Sequence, residues 1–235
     1  MLSAALKAAV QTVSRPFRAV LLKSLGLTVL LLILGWIGLQ ALADRMLVLP
    51  NETATWIAHL VAGLGTAFGL LFLVTPVTAI VAGFFLDDVA EIVERTHYPA
   101  DAPGQPVPLV KGLFLSLRFA ALVLSLNLLL LALLFIPGVN LIAWLGVNGY
   151  LLGREYFSLA AMRFRDEDGA TALRRRHRGE VFAAGLLVAT LAIVPFANLL
   201  TPLFATAFFV HLHKSIAAED AKLLGTEGRT PRLGA

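Results

Sequence analysis

Cysteine is absent from the 235-residue sequence, and charged side chains are scarce, at 14% of the residues. The lack of cysteine excludes disulfide bonds and thiolate metal ligands. A soluble domain carries about 25% charged residues, whereas 58% of this chain is hydrophobic. A single core of this size cannot bury so much apolar surface, so lipid is the expected solvent. We therefore predict an integral membrane protein.

The sequence also lacks the short motifs that mark common catalytic sites. It contains neither Gly-x-Ser-x-Gly nor His-Glu-x-x-His, and no convincing pair of acids lies inside its apolar stretches. We expect no enzymatic activity, no cofactor and no bound metal. Binding to nucleic acid is not expected either, because no soluble domain would present a basic patch.

Two long uncharged stretches predict two long transmembrane helices. Residues 24–43 carry no charge over 20 residues, and a helix of that length matches a bilayer core of about 30 Å. Residues 57–86 are uncharged over 30 residues, and we expect Pro76 to kink or end this longer span. The stretch from there to His97 has apolar residues at helical spacing and acids on the opposite face. This pattern is typical of an amphipathic helix leaving the membrane.

Two later apolar stretches, 119–153 and 181–210, contain breaks of the same form. One break reads Phe-Ile-Pro-Gly-Val-Asn-Leu-Ile at 135–142, and the other reads Ile-Val-Pro-Phe-Ala-Asn-Leu-Leu at 193–200. Proline frees a backbone carbonyl, and asparagine can satisfy exposed backbone groups or cap the returning helix. We predict that each break is the tip of a helical hairpin. The residues expected at the tips are Pro137, Gly138, Asn140, Pro195 and Asn198.

The depth of these hairpins in the membrane stays open. Arms of roughly 14–18 residues would be about 21–27 Å long, which is shorter than a bilayer core. The hairpins therefore either penetrate part of the membrane or turn tightly at its far surface. Residues 1–216 are predicted to form a single membrane domain. Residues 217–235 are predicted to be a polar, disordered C-terminal tail.

The distribution of Lys and Arg predicts the orientation of the chain. If both hairpins return to the face they left, 18 of the 19 basic residues lie on one side of the membrane. The positive-inside rule places that side in the cytoplasm, together with both termini. The run Arg174–Arg178 is then interpreted first as a topology signal. Contact with anionic lipid and attraction of a substrate are the alternatives.

Several segments, taken together, resemble a known family. They are 135–139, 193–202, the intervening Ala172–Arg176 and the amphipathic stretch after Pro76. In this order and spacing they are similar to the CysZ-like sulfate-uptake family, over roughly residues 7–216. The resemblance implies an all-helical, multi-pass protein of the bacterial inner membrane, with two long helices, two partly penetrating hairpins and interfacial helices. It also implies homo-oligomers that move sulfate into the cytoplasm for cysteine synthesis.

The family's sulfate-binding motif precedes the first membrane helix, and the matching stretch here is Arg15–Ala19. Within it, Arg15, Phe17 and Arg18 are the candidate anion-binding residues, although the family pattern does not itself support Arg15. The motif has a glycine, a large aliphatic residue and two arginines after a proline. Arg18 matches the first arginine, Phe17 replaces the aliphatic residue, and Ala19 replaces the second arginine. An arginine beside free amides at a helix start suits an oxyanion. The alternative is that Arg15 and Arg18 only mark the cytoplasmic end of the helix.

Arg154 and Glu155 end the first predicted hairpin. Consecutive residues on a helix do not face each other, so each needs a partner elsewhere. We predict either that both residues are functional, each with its own partner, or that they occupy a simple interfacial position. For the whole chain we expect a channel or permease for sulfate or a related oxyanion. The alternative, motivated by the altered arginine motif, is a membrane scaffold or assembly factor that does not transport.

Overall fold

The computed structural model describes residues 1–46, 50–133, 139–194, 198 and 200–227. Within these residues every regular element is an α-helix, as the sequence predicted. The helices are α1 (Leu2–Thr12), α2 (Arg15–Met46), α3 (Glu52–His97), α4 (Leu109–Leu133), α5 (Val139–Met162), α6 (Glu167–Arg176), α7 (Arg178–Ala192) and α8 (Thr201–Glu227).

Three helical segments are long and apolar enough to cross a membrane. They are Arg15–Met46, Glu52–Leu71 and Val110–Leu131. The first two contain residues of the two predicted transmembrane helices, and the third is the first arm of the first predicted hairpin. Few of their residues are buried inside the protein. Their apolar side chains are therefore exposed, as expected of helices surrounded by lipid.

α3 runs without interruption from Glu52 to His97. The chain stays helical past Pro76, where the sequence predicted a kink or an end. Proline is tolerated inside membrane helices because neighbouring groups can satisfy the freed backbone carbonyl. The amphipathic stretch up to His97 is therefore the last part of the same helix.

Helices flank both predicted hairpin tips. α4 ends at Leu133 and α5 begins at Val139, while α7 ends at Ala192 and α8 begins at Thr201. Pro137, Gly138 and Pro195 lie outside the described residues. Asn140 belongs to the first turn of α5, and the backbone N–H of Asn198 donates to the Val194 carbonyl at 2.8 Å.

The arms of the two predicted hairpins differ in length. α4 has 25 residues, or about 37 Å of helix, which is enough to cross a bilayer core. α7 has 15 residues, or about 22 Å, which is shorter than the core. α8 continues to Glu227 and so includes the first part of the predicted tail. There Asp220 is buried and accepts a hydrogen bond from Arg176 at 2.5 Å.

The described chain divides into two compact units. Unit 1 consists of residues 1–17 and 87–235, and unit 2 consists of residues 18–86. In unit 1, α5 packs against α4, α6, α7 and α8, and α1 packs against α8. Its core is built from large side chains that are completely buried, among them Phe157, Phe208, Phe209, Leu212 and Ile216.

Unit 2 consists of most of α2 and the first part of α3. The hydroxyl groups of Ser24 and Thr28 are buried, and they donate to the carbonyls of Leu21 and Ser24 at 2.9 Å each. Such bonds to the preceding turn satisfy a polar side chain within an apolar helix. His59, near the start of α3, contacts Asp44 at 3.2 Å. His59 therefore has the local partner that an interfacial histidine needs.

α5 and α7 approach each other closely because glycines line their crossing. A Cβ atom added to Gly153 would lie 2.5 Å from the Val181 carbonyl oxygen. A Cβ atom on Gly185 would collide with the Gly149 carbonyl oxygen and lie 2.6 Å from the Gly153 nitrogen. Small residues permit such backbone contact between membrane helices. The contact holds α5 in place, and α5 carries side chains of the candidate site.

Candidate functional site

A cavity of about 440 Å³ in unit 1 contains an unusual number of basic side chains. Its lining includes four arginines, and it is called the arginine cavity below. Arg118 comes from the N-terminal part of α4, Arg154 comes from α5, and Arg174 and Arg175 come from α6. Tyr150 and Glu155 of α5 also line it.

Helical spacing brings the α5 residues into the cavity. Tyr150, Arg154 and Ser158 follow one another at intervals of four, so they share one face of α5. All three line the cavity. Glu155 lies beside this row and also borders the cavity.

The short helix α6 is strongly encoded by its sequence. The Asp166 side chain caps it by accepting a hydrogen bond from the Gly169 N–H at 3.1 Å. Acids occupy its first turn, and Arg174, Arg175 and Arg176 occupy its last turn. This order complements the helix dipole and stabilises α6. The helix stabilised in this way carries Arg174 and Arg175, which line the cavity.

Two arginines in the cavity have buried nitrogen atoms without a partner. Within the described part of the chain, Arg154 Nη1 and Arg174 Nε are buried and make no hydrogen bond. The Arg154 guanidinium lies 5.7 Å from the centroid of the Phe119 ring, a cation–π contact that does not use its N–H groups. Burying an N–H donor without an acceptor costs free energy, and burying one on a cation costs more.

The electrostatics of this pair also favour a counter-ion. Burial lowers the pKa of Arg174, and the positive charge of Arg154 lowers it further. The charge interaction with Tyr150 and a hydrogen bond that Arg174 donates to the Tyr150 side chain raise this pKa in the opposite direction. Two neighbouring cations with free donors are stabilised by an anion that accepts from both.

Arg118 and Glu167 form a partly exposed ion pair at the rim of the cavity. Arg118 Nη1 lies 3.4 Å from Glu167 Oε1, and the Arg118 side chain is 65% exposed. An exposed pair at this distance contributes little to stability. Arg118 can therefore exchange this carboxylate for an incoming anion at low cost.

A second, smaller cavity of about 60 Å³ adjoins the same residues. Tyr150, Arg154 and Arg174 line both cavities, and the smaller one is also lined by Arg178, Val181 and Phe182. Arg154 and Arg174 therefore border both cavities.

The predicted site residues lie at different places. Arg154 and Glu155 both line the arginine cavity. Arg15 is the first residue of α2, and Arg15 and Arg18 are both exposed, whereas Phe17 is completely buried. Phe17 thus packs as a core residue and leaves any contact with an anion to the arginines or the amides.

Sequence reasoning missed Tyr150 and the role of Arg174 within the site. The run Arg174–Arg178 was interpreted first as a topology signal, but in the structure its members differ. Arg174 and Arg175 line the arginine cavity, Arg176 pairs with Asp220, and Arg178 borders the smaller cavity. The interval of four residues between Tyr150, Arg154 and Ser158 could have indicated that these polar side chains share one face of a helix.

The family model described as "Sulfate transporter CysZ/Etoposide-induced protein 2.4" matches residues 4–202. The chain belongs to this family. The match covers both predicted hairpin tips, the arginine cavity and the start of α2, and it confirms the resemblance found in the sequence. No curated protein matches the chain. As a member of the CysZ/etoposide-induced protein 2.4 family with membrane-spanning helices, it is a membrane protein of a transporter-type family.

Proposed function

We propose that this protein is a channel or permease that moves sulfate or a related oxyanion into the cytoplasm. The observation that carries the proposal is the arginine cavity, where buried N–H groups of Arg154 and Arg174 lack an acceptor. Oxyanions accept several hydrogen bonds at once and match the donor geometry of guanidinium groups. Family membership supports the same substrate class.

The proposal extends to the setting of the protein. It would act in the inner membrane of a bacterium as a homo-oligomer, with both termini in the cytoplasm, and would feed cysteine biosynthesis. Arg15 and Arg18 at the start of α2 are proposed as a first contact for the anion, since both are exposed. No enzymatic step is part of the proposal.

Uptake of radiolabelled sulfate into proteoliposomes tests the proposal. We expect flux above that of empty vesicles, and we expect Arg154→Gln and Arg174→Gln each to reduce it by about tenfold or more. Each substitution removes a charged hydrogen-bond donor worth about 1.5–3 kcal/mol.

Arg176→Gln is the matched control, because Arg176 belongs to the same run but pairs with Asp220 and does not line the arginine cavity. Its flux per correctly folded protein should remain within about twofold of the wild type, because the Arg176 side chain is 58% exposed and lies outside the cavity lining. Absence of flux in correctly inserted wild-type protein would overturn the proposal.

The second candidate function is a membrane scaffold or assembly factor. It is favoured by one observation, the replacement of the second motif arginine by Ala19. It predicts that Arg18→Ala leaves sulfate-dependent growth intact, while deletion of the whole chain disturbs a partner complex. Growth on limiting sulfate and isolation of the complex distinguish the two functions.

A further inference from the structure

A further cavity, of about 550 Å³, adjoins the arginine cavity within unit 1. One wall is the proline-rich loop 102–108 before α4, and the other is the stretch from Met162 to Asp166 between α5 and α6. This cavity is called the vestibule below. Val107 and Met162 line both the vestibule and the arginine cavity. The two cavities therefore meet at these two side chains, which are apolar and half-buried.

The loop that forms one wall of the vestibule is fixed by its backbone. The Gly104 N–H donates to the Glu94 side chain at 3.0 Å, and the Gln105 N–H donates to the Arg163 carbonyl at 2.8 Å. Three prolines restrict the same loop further, because their rings fix φ. The vestibule is therefore a preformed cavity, as ligand-binding cavities usually are.

The vestibule carries a positive charge that the protein does not balance. Lys111 and Arg165 line it and are exposed, and neither forms a salt bridge within the described residues. Arg163 also lines it, but two carboxylates already balance the charge of Arg163. The acid in the lining, Asp166, accepts a hydrogen bond from Gly169 as the cap of α6. Lys111 and Arg165 therefore create a potential that attracts anions.

The apolar boundary between the two cavities has the properties of a gate. An anion that moves from one cavity to the other passes Val107 and Met162, which offer it no hydrogen bond. Apolar constrictions between polar sites control conduction in channels by excluding water and ions when they are narrow. Methionine is unbranched and has three rotatable bonds, so Met162 can change its conformation more easily than Val107 can.

We propose that the vestibule is the route by which oxyanions pass between the arginine cavity and the cytoplasm, with Lys111 and Arg165 attracting the anion and Met162 acting as the gate. This inference rests on the proposed transport function and adds a path to it. The cytoplasmic side follows from the predicted orientation, because both segments that form the vestibule belong to the basic face of the chain.

Chemical modification of Met162→Cys tests the gate, since the chain has no native cysteine. The probes are two methanethiosulfonates of similar size, one carrying a sulfonate and the other a trimethylammonium group. Their rates of reaction are measured by mass spectrometry on the purified full-length protein in detergent. We expect the ratio of the sulfonate rate to the ammonium rate to fall by about threefold or more when Lys111→Gln and Arg165→Gln are added, because the attracting potential is then lost.

Ala218→Cys is the matched control for these rates. Ala218 is exposed on α8 and lines neither the vestibule nor the arginine cavity. Its rate ratio should not change when Lys111 and Arg165 are replaced.

Sulfate flux in proteoliposomes tests whether the gate lies on the path. The reagents are attached in detergent before reconstitution. The sulfonate group on Met162→Cys should reduce flux by about tenfold or more, because a fixed negative charge repels the anion there, whereas the ammonium group should reduce it far less. Either group on Ala218→Cys should leave flux within about twofold of the unmodified protein.

The two cations should affect access to the arginine cavity but not binding within it. Lys111→Gln with Arg165→Gln should lower flux by about threefold at low ionic strength, and the difference should vanish near about 1 M salt, which screens exposed charges. Calorimetry should show an unchanged affinity for sulfate, because neither residue lines the arginine cavity.

Each failure has a distinct meaning. A folded Met162→Cys that reacts with neither reagent, or a rate ratio that is independent of Lys111 and Arg165, overturns the vestibule. Unchanged flux after complete sulfonate modification overturns the gate. If Met162→Cys does not fold, as judged by gel filtration, Val107→Cys takes its place in the same assays, since Val107 also lines both cavities. A wild type without flux overturns transport, while the rate ratio still decides whether the vestibule attracts anions.

Discussion

Arg163 joins segments of unit 1 that lie far apart in the sequence. Its side chain is only 4% exposed, and Nε donates to Glu94 at 2.7 Å while Nη1 donates to Asp87 at 2.6 Å. The backbone N–H of Gly104 donates to the same Glu94 carboxylate at 3.0 Å. Burial alone would lower the pKa of Arg163, but hydrogen bonds and opposite charges on Glu94 and Asp87 raise it. The guanidinium is therefore firmly charged and fully paired.

Replacement of Arg163 by methionine should strongly destabilise the protein. The substitution keeps the side-chain bulk but leaves Glu94 buried without its partner, which typically costs about 3–5 kcal/mol. For a chain of this length the thermal midpoint in detergent should fall by on the order of 10 °C. Light scattering or tryptophan fluorescence during heating measures it.

Arg95→Ala is the matched control, because Arg95 pairs with Glu91 at the exposed surface of the same region. It should lower the midpoint by no more than a few degrees, as expected for exposed ion pairs worth about 0–1 kcal/mol. The double variant Arg163→Met, Glu94→Gln should recover part of the loss, since no uncompensated buried charge remains and Asp87 is 54% exposed. Equal effects of the two arginine variants would contradict this role of Arg163.

The crossing of α5 and α7 leaves no room for a side chain at its glycine positions. Gly149 and Gly153 on α5 face Gly185 on α7, and a methyl group on Gly185 would collide with backbone atoms that cannot move aside. Because Tyr150 and Arg154 belong to the same part of α5, any shift of this helix also displaces the cavity lining.

Gly185→Ala should therefore separate the two helices. Overpacking of this kind costs about 1–3 kcal/mol, and we expect a lower thermal midpoint together with weaker anion binding by calorimetry. Gly146→Ala is the control, since, apart from its chain neighbours and its own helix backbone, no atom of the described residues lies within 4 Å of the position its Cβ would take. That variant should be neutral or slightly stabilising, because alanine favours a helix over glycine by about 0.5–1 kcal/mol. A Gly185→Ala protein as stable as Gly146→Ala would show that the helices do not meet this closely.

For the molecule as a whole, the absence of cysteine makes the orientation in the membrane directly testable. Single cysteines can be introduced at exposed positions without removing native ones. Pro50 precedes α3, Ala100 follows it, and Ala218 lies in α8; all three are exposed. The positive-inside rule predicts that only the Pro50 position faces away from the cytoplasm.

A membrane-impermeant maleimide should therefore label Pro50→Cys in intact cells. Ala100→Cys and Ala218→Cys should be labelled only after the membrane is opened. A cysteine-free wild type serves as the background control. Labelling of Ala218→Cys from outside would place the C-terminal part of the chain on the wrong side and would contradict the predicted orientation.

The helical elements were largely predictable from the sequence, but the chemistry of several side chains was not. Uncharged stretches located apolar helices, because twenty apolar residues in lipid have few alternatives to a helix. The acids of the amphipathic stretch were predicted to lie on one solvated face, yet Glu94 is buried against Arg163. The partner lies 69 residues away, and no local pattern connects the two.

The candidate site was likewise predictable only in part from the sequence. Arg154 and Glu155 stood out in the sequence because charges at the edge of an apolar stretch are costly there. Their surroundings became evident only when α4, α5 and α6 were assembled around one cavity. The arginine run shows this most clearly, because some of its members line the cavity whereas Arg176 pairs with the buried Asp220.

By itself, the sequence determined that this is an all-helical membrane protein, and its motifs indicated the family. Both conclusions depend on the local composition and order of residues. An apolar segment in lipid forms a helix because its backbone groups can then hydrogen-bond to one another. Only the tertiary structure decided which charges are paired and which are not. Arg163 is saturated by two carboxylates, whereas Arg154 and Arg174 retain buried donors beside a cavity. That distinction depends on distances between helices, which residue order alone does not specify.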